Sequence, residues 1–187
     1  KDFHEDGVPL IRLAGLKNGV SLLDGCNHLD PEKVATKWSH FKLKKGDILL
    51  SSSASLGRVA EVNDEAVGAI PYTGIIGFRP LIGISNKCYL KHFLSSPLFQ
   101  HQVEMMGAGS VLNHFGPTHL KKMVMIVPTI DVQDIYASFT SYSDEKASKN
   151  LMQSQTFKKL RDTLLPKLIS GELRLTDAEH LTTEVTS

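Results

Sequence analysis

Leu151 to Leu175 reads LMQSQTFKKLRDTLLPKLISGELRL. Phe157, Leu160, Leu164 and Leu168 recur at spacings of three, four and four residues, which sets them on one stripe of a helix. Ile169-Ser170-Gly171 ends the pattern, glycine being a common residue just past a helix C-terminus. A helix with such a stripe cannot bury it against itself. It packs either on its own domain or on another helix.

Upstream, residues 131 to 165 contain neither glycine nor proline. Val132, Ile135, Phe139 and Tyr142 carry the same apolar rhythm, and the polar run SDEKASKN follows at 143–150. A helix running from Asp131 to Leu168 spans about 57 Å at ~1.5 Å per residue, more than the width of a domain of ~130 residues, so it is expected to project. Two shorter helices broken near Ser148 are the alternative. Pro166 removes one helical hydrogen bond and bends the last turn.

The chain has 187 residues, 41% of them hydrophobic and 22% charged, which suits a soluble globular domain with an extension. No run approaches the ~18 apolar residues of a spanning helix, so no membrane partner is expected. A start at Lys1, with KDFHEDG lacking an apolar leader core, suggests a chain cut from a longer one. Cys26 and Cys88 are isolated thiols, which favours a reducing, cytoplasmic setting. Net charge is only +1, but between 66 and 130 Glu104 is the sole acid against Arg79, Lys87, Lys91, Lys121 and Lys122. Such a stretch predicts a positive surface suited to a polyanion.

Along the chain, Val8–Leu13 reads as a strand and Lys17-Asn18-Gly19 as a turn. Asp30 is placed to cap a short helix through Trp38, with Pro31 in its first position. Lys45-Gly46-Asp47 predicts a turn into a buried strand at Ile48–Leu50, followed by a polar linker, Ser51 to Leu56, and a returning strand from Gly57 to Val62. Gly68 to Leu81 reads as strand, Tyr89 to Met106 as helix restarted at Ser96-Pro97, and Met123 to Val127 as strand. Thr118 to Lys122 predicts a short helical turn whose N-terminus would attract phosphate.

The eight histidines never fall in HxH or HxxxH spacing, and there is no CxxC, so no metal site is expected. GAGS at 107–110 lacks the lysine of a phosphate-binding loop and the context of a dinucleotide site, so no cofactor is expected either. No Asn-Pro-Pro of an adenine methyltransferase occurs. The pattern describes a binding module, not an enzyme.

Four stretches taken in order carry a family resemblance: GVPLIRLAGLKNG from Gly7, LKKGDILLSSSASLGRVAEV from Leu43, GSVLNHFGPTHLKKMVMIVP from Gly109, and LRDTLLPKLISGELRL from Leu160. Together they resemble the specificity subunit of type I restriction–modification systems, over one target-recognition domain and one spacer helix. LLPKLISGEL is the most specific of them. The resemblance implies an α+β fold: a mixed β-rich recognition domain (1–129), a long projecting helix forming a coiled coil (130–171), and a tail (172–187). It implies a non-catalytic subunit that reads one half of a bipartite site on double-stranded DNA for methylating subunits and, where present, a restriction subunit. Its helix would pair with a second half-subunit or a second copy. The family's usual leading stretch and its second recognition domain and helix are missing, so the chain is expected to be N-terminally truncated, and a C-terminal half or a natural half-subunit.

Donor chemistry in glycine-framed loops then selects DNA-facing candidates: Ser51, Ser52, Ser53, Ser55 and Arg58 in one loop, Ser110, Asn113, His114 and Thr118 in another, with Arg79, Lys121 and Lys122. Arg58, Asn113 and His114 are the expected base readers, and Ser110, Thr118, Lys121 and Lys122 the phosphate holders. Ile135, Phe139, Tyr142, Leu151, Phe157, Leu160, Leu164 and Leu168 are the expected helix–helix interface. The competing reading is a scaffold or adaptor that dimerises through this helix and binds no DNA.

Overall fold

A computed structural model describes residues 3–17, 19–107 and 114–173. Its centre is the strand β4 (Ile48–Ser51), buried at every position. The turn before it needs the positive φ of Gly46, and an apolar run then follows with no polar alternation, the pattern of a strand covered on both faces. Leu49 points into a core with Ile11, Leu16, Leu43 and Val62. Ile48 and Leu50 point the other way, into Leu90, Phe93, Leu94, Phe99 and Phe115. One short strand therefore serves two cores.

β4 pairs antiparallel with β5 (Val59–Glu61) and with β7 (Ile75–Phe78), giving the order β5-β4-β7. A second sheet has the order β1-β3-β2-β6, from β1 (Phe3–His4), β2 (Val8–Ile11), β3 (Asn27–Leu29) and β6 (Ile70–Pro71), with β2 and β6 parallel. Leu10, Leu29, Val34 and Ile70 fill a third, smaller cluster behind it. The turn Tyr72–Gly74 carries the chain from the end of β6 in one sheet to β7 in the other.

α1 (Pro31–Lys33) starts as expected: the Asp30 carboxylate accepts from the Glu32 N–H at 2.8 Å, and Pro31 takes the first position. It continues as a π-helical turn through Trp38. α2 (Lys87–Ser95) is capped by Asn86, which accepts from the Cys88 N–H at 2.9 Å, and α3 (Pro97–Gly107) restarts after Ser96. The break has the expected cause. Proline has no N–H to donate back, and the Ser96 hydroxyl instead donates to the Phe93 carbonyl at 2.7 Å.

Two expectations fail. Ser51 belongs to β4, not to the linker, because its N–H pairs with the Arg58 carbonyl at 2.9 Å. Met123–Val127 is not a strand, although Met123 and Met125 pack inward while Val124 and Ile126 lie exposed. Three of its backbone groups are taken by side chains instead. Gln102 accepts from the Val124 N–H at 2.8 Å and donates to the Val124 carbonyl at 3.0 Å, and Tyr89 donates to the Ile126 carbonyl at 2.8 Å.

The chain is thus α+β, and its last described element is the long helix α5 (Ile130–Ile169), 40 residues without a break, about 60 Å at ~1.5 Å per residue. The polar run at 143–150 and Pro166 both lie inside it. One compact unit extends to Ser143 and a second begins at Asp144, so the first turns of α5 belong with the sheets. Among the described residues, Gln133 is the one buried side chain of this helix. Its amide donates to the carbonyls of Ile84 (2.9 Å) and Pro128 (2.8 Å) and accepts from the Asn86 N–H (2.9 Å). Beside it the Asn86 amide donates to the Asp134 carboxylate at 2.7 Å. No helix among the described residues is long and apolar enough to cross a membrane.

Gln133→Leu keeps the volume but strands two carbonyls and one N–H in a buried place. At ~1–3 kcal/mol for an unsatisfied buried group, a loss of about 2–5 kcal/mol is expected in urea unfolding. A loss below ~1 kcal/mol would show that the amide does not hold the junction.

Candidate nucleic-acid interface

The loop after β4 is closed at its base by Ser51. The Ser51 carbonyl accepts from the Gly57 N–H at 3.0 Å, and its hydroxyl accepts from the Arg58 N–H at 2.8 Å while donating to the Ser55 carbonyl. Ala54 at the tip adopts a positive φ of 55°. This geometry removes two expected contacts: Ser51 and Ser52 are buried, with relative exposures of 0% and 2%. The Ser51 hydroxyl spends its donor and an acceptor inside the loop, so neither residue presents itself to a ligand. Ser53 and Ser55 remain half-buried at the surface.

Phe115 is the anchor that brings the second loop here. Fully buried in the core around β4, it donates its N–H to the Ser52 carbonyl at 3.0 Å. His114 then pairs with Ser53 as an isolated bridge, and its Nδ1 lies 2.9 Å from the same carbonyl. A carbonyl can only accept, so Nδ1 carries the hydrogen. Ser110 and Asn113 lie outside the described residues.

A third segment completes the rim. The Ser52 N–H donates to the Gly74 carbonyl at 2.8 Å, and a Cβ on Gly74 would sit 2.0 Å from the Ser53 hydroxyl. Gly74 also has φ +89°, so both the space and the backbone require glycine. Two residues earlier, the Tyr72 N–H donates to the Ile11 carbonyl at 3.0 Å. The guanidinium of Arg12 lies over the Tyr72 ring, 5.6 Å from its centroid, and donates from Nη1 to the Asn27 Oδ1 at 2.7 Å. Arg12, Asn27 and Tyr72 were not among the candidates drawn from the sequence. Their partners lie 15 and 60 positions apart, and no local pattern links them.

The expected positive face is largely cancelled. Arg79 is not available to a polyanion: its Nε and Nη2 clasp the buried Asp47 carboxylate at 2.8 and 2.6 Å. Lys87 and Lys91 both pair with Glu61, at 2.7 and 3.6 Å. Asp47 and Glu61 lie outside 66–130, so the acid-poor stretch takes its counter-charges from the turn before β4 and from the end of β5. Lys121 and Lys122 are exposed, and among the described residues they have no carboxylate partner. Thr118 is exposed on α4 (Pro117–Leu120), a single turn whose preceding N–H, that of Gly116, already donates to His119 Nδ1 at 3.1 Å. It offers no phosphate site through its dipole. Arg58 lines a cavity of about 230 Å³ with Leu16, Ser95 and Gln100, and its guanidinium has no partner among the described residues. The structure therefore gathers Ser53, Ser55 and His114 on one rim, leaves Arg58, Thr118, Lys121 and Lys122 accessible, and withdraws Ser51, Ser52 and Arg79.

On α5, Ile135, Phe139 (80% exposed) and Tyr142 lie open, as do Phe157 (67%), Leu160, Leu164 and Leu168; Leu151 is half-buried. No protein-family model matches this chain, and no curated protein matches it.

Burial alone would raise the Asp47 carboxyl, but the hydrogen bonds from Arg79 and the Lys44 N–H, with the Arg79 charge, outweigh it and hold the group below the usual carboxylate range. Its contribution to stability is therefore complete above about pH 4 and is lost as the pH falls through the lower folded value. Arg79→Met should cost about 1–3 kcal/mol at pH 7, since Arg79 is half exposed, and clearly less at pH 3. Equal losses at both pH values in urea unfolding would refute this role. For the rim, Gly74→Ala is expected to cost about 1–3 kcal/mol. Adding Ser53→Ala should relieve the clash with the hydroxyl but leave the strain of the positive φ, a coupling that a double-mutant cycle measures.

Proposed function

We propose that this chain is a non-catalytic, sequence-specific DNA-recognition subunit of a type I restriction–modification complex, reading one half of a bipartite target. One observation carries the reading. An unbroken helix of 40 residues, with large apolar side chains exposed at three- and four-residue spacing, follows directly on a domain whose loops gather hydrogen-bond donors on one rim.

Such a stripe is satisfied by another helix, so α5 forms a coiled coil with the helix of a second half-subunit or a second copy and sets the distance between half-sites. Phe157, Leu160, Leu164 and Leu168 form its C-terminal seam. The methylating subunits, and a restriction subunit where one exists, assemble on it in the cytoplasm, and the chemistry is theirs. Arg58, Ser53, Ser55 and His114 face the bases, and Thr118, Lys121 and Lys122 hold phosphates.

A second reading, a scaffold that dimerises through α5 without binding DNA, draws support from the ion pairs that neutralise Arg79, Lys87 and Lys91. Purification with the methylating subunit encoded beside it, followed by footprinting, separates the two. A footprint that weakens steeply between ~50 and 200 mM salt is expected, with Lys121→Ala lowering the salt slope by about one. A complex without a footprint favours the scaffold. No complex and no footprint would sink the proposal.

A further inference from the structure

We infer that Arg12, held by Tyr72 and Asn27, is a specificity-determining residue that reads a guanine in the major groove; the inference rests on the DNA-recognition reading above. An arginine has five N–H donors, and Arg12 spends one on Asn27 Oδ1 at 2.7 Å. The side chain is exposed, and no carboxylate neutralises it among the described residues. Its position is nonetheless fixed twice: by the ring of Tyr72 at 5.6 Å and by the Asn27 amide. A cation that only held phosphate would need no such bracing. Lys121 and Lys122 are unbraced and suit that task.

A planar fork held in one plane matches two acceptors lying side by side in a plane, which guanine presents as O6 and N7. Bracing matters for discrimination, because rotamer freedom lost before binding is not lost again on contact. The location fits as well. Tyr72 N–H joins Ile11 at the end of β2, and Gly74 joins Ser52, so Arg12 and the Ser53–His114 bridge each lie one residue from a backbone bond to the same turn, Tyr72–Gly74. The Tyr72–Gly74 turn thus links Arg12 through backbone bonds to the strand end that carries Ser53, one of the proposed base contacts.

The test uses the full chain produced with its methylating subunit, with methylated positions mapped across a genome. Wild type should give a motif containing at least one guanine. Arg12→Ala and Arg12→Lys should both relax one G·C position by about tenfold or more, leaving the other positions unchanged. Tyr72→Phe, which keeps the ring, should retain the motif, and Tyr72→Ala should relax the same position as Arg12→Lys. Because Arg12→Lys keeps the charge and the exposed site, it carries the test should the alanine variant lose its fold. A wild-type motif with Arg12→Lys, or a uniform drop at every position, overturns the inference while DNA recognition stands. No motif from the wild type overturns DNA recognition itself.

Discussion

The buried amide of Gln133 is the constraint on which the arrangement depends. A helix that begins directly after an unladdered segment has orphan groups at its start and nothing in its own sequence to aim it. Gln133 meets three backbone groups from two places, the turn at Ile84–Asn86 and the chain at Pro128, and so fixes the first turn of α5 to the cap of α2. Asn86 is shared: its side chain caps α2 through the Cys88 N–H and reaches Asp134 on α5. Two helix starts are thereby locked into one hydrogen-bonded unit, and α2 in turn lies on β4 through Leu90, Phe93 and Leu94.

From β4 the same logic reaches the rim. Its last residue closes the Ser51–Arg58 loop, its neighbour β7 begins at the Gly74 turn, and Phe115 ties the segment carrying His114 to the core beneath. The rim is thus built from well-buried supports carrying short exposed tips. Electrostatics follow a different plan. Asp47 and Glu61, on either side of the loop in sequence, consume three cations. Of the five cations between 66 and 130, only Lys121 and Lys122 are left without a carboxylate partner among the described residues.

Much of this was legible in the sequence, for identifiable reasons. The Gly46 turn, the buried run at Ile48–Leu50, the Asp30–Pro31 start and the Ser96–Pro97 break are local signals, each with a steric or hydrogen-bonding cause within a few residues. The long helix is legible in the absence of glycine and proline between 131 and 165, and the structure decides against the alternative break near Ser148. The failures are all long-range. Ser51 looked like loop because hydroxyl residues usually are, but its pairing across to Arg58 made it strand. Arg79 looked like a free cation because its carboxylate lies 32 positions upstream. Arg12, Asn27 and Tyr72 carry no motif, and they meet only because β2 pairs with β3 on one side and with β6 on the other.

The unladdered segment Met123–Val127 has a consequence beyond geometry. Five consecutive apolar residues with in–out alternation would pair readily with a like segment of another molecule, the first step of cross-β stacking. Gln102 occupies both backbone groups of Val124, and Tyr89 occupies the carbonyl of Ile126. A foreign strand would have to displace three side-chain bonds to gain a ladder. The hydrogen bonds that replace a strand partner thus also protect a sticky run from pairing with a like segment.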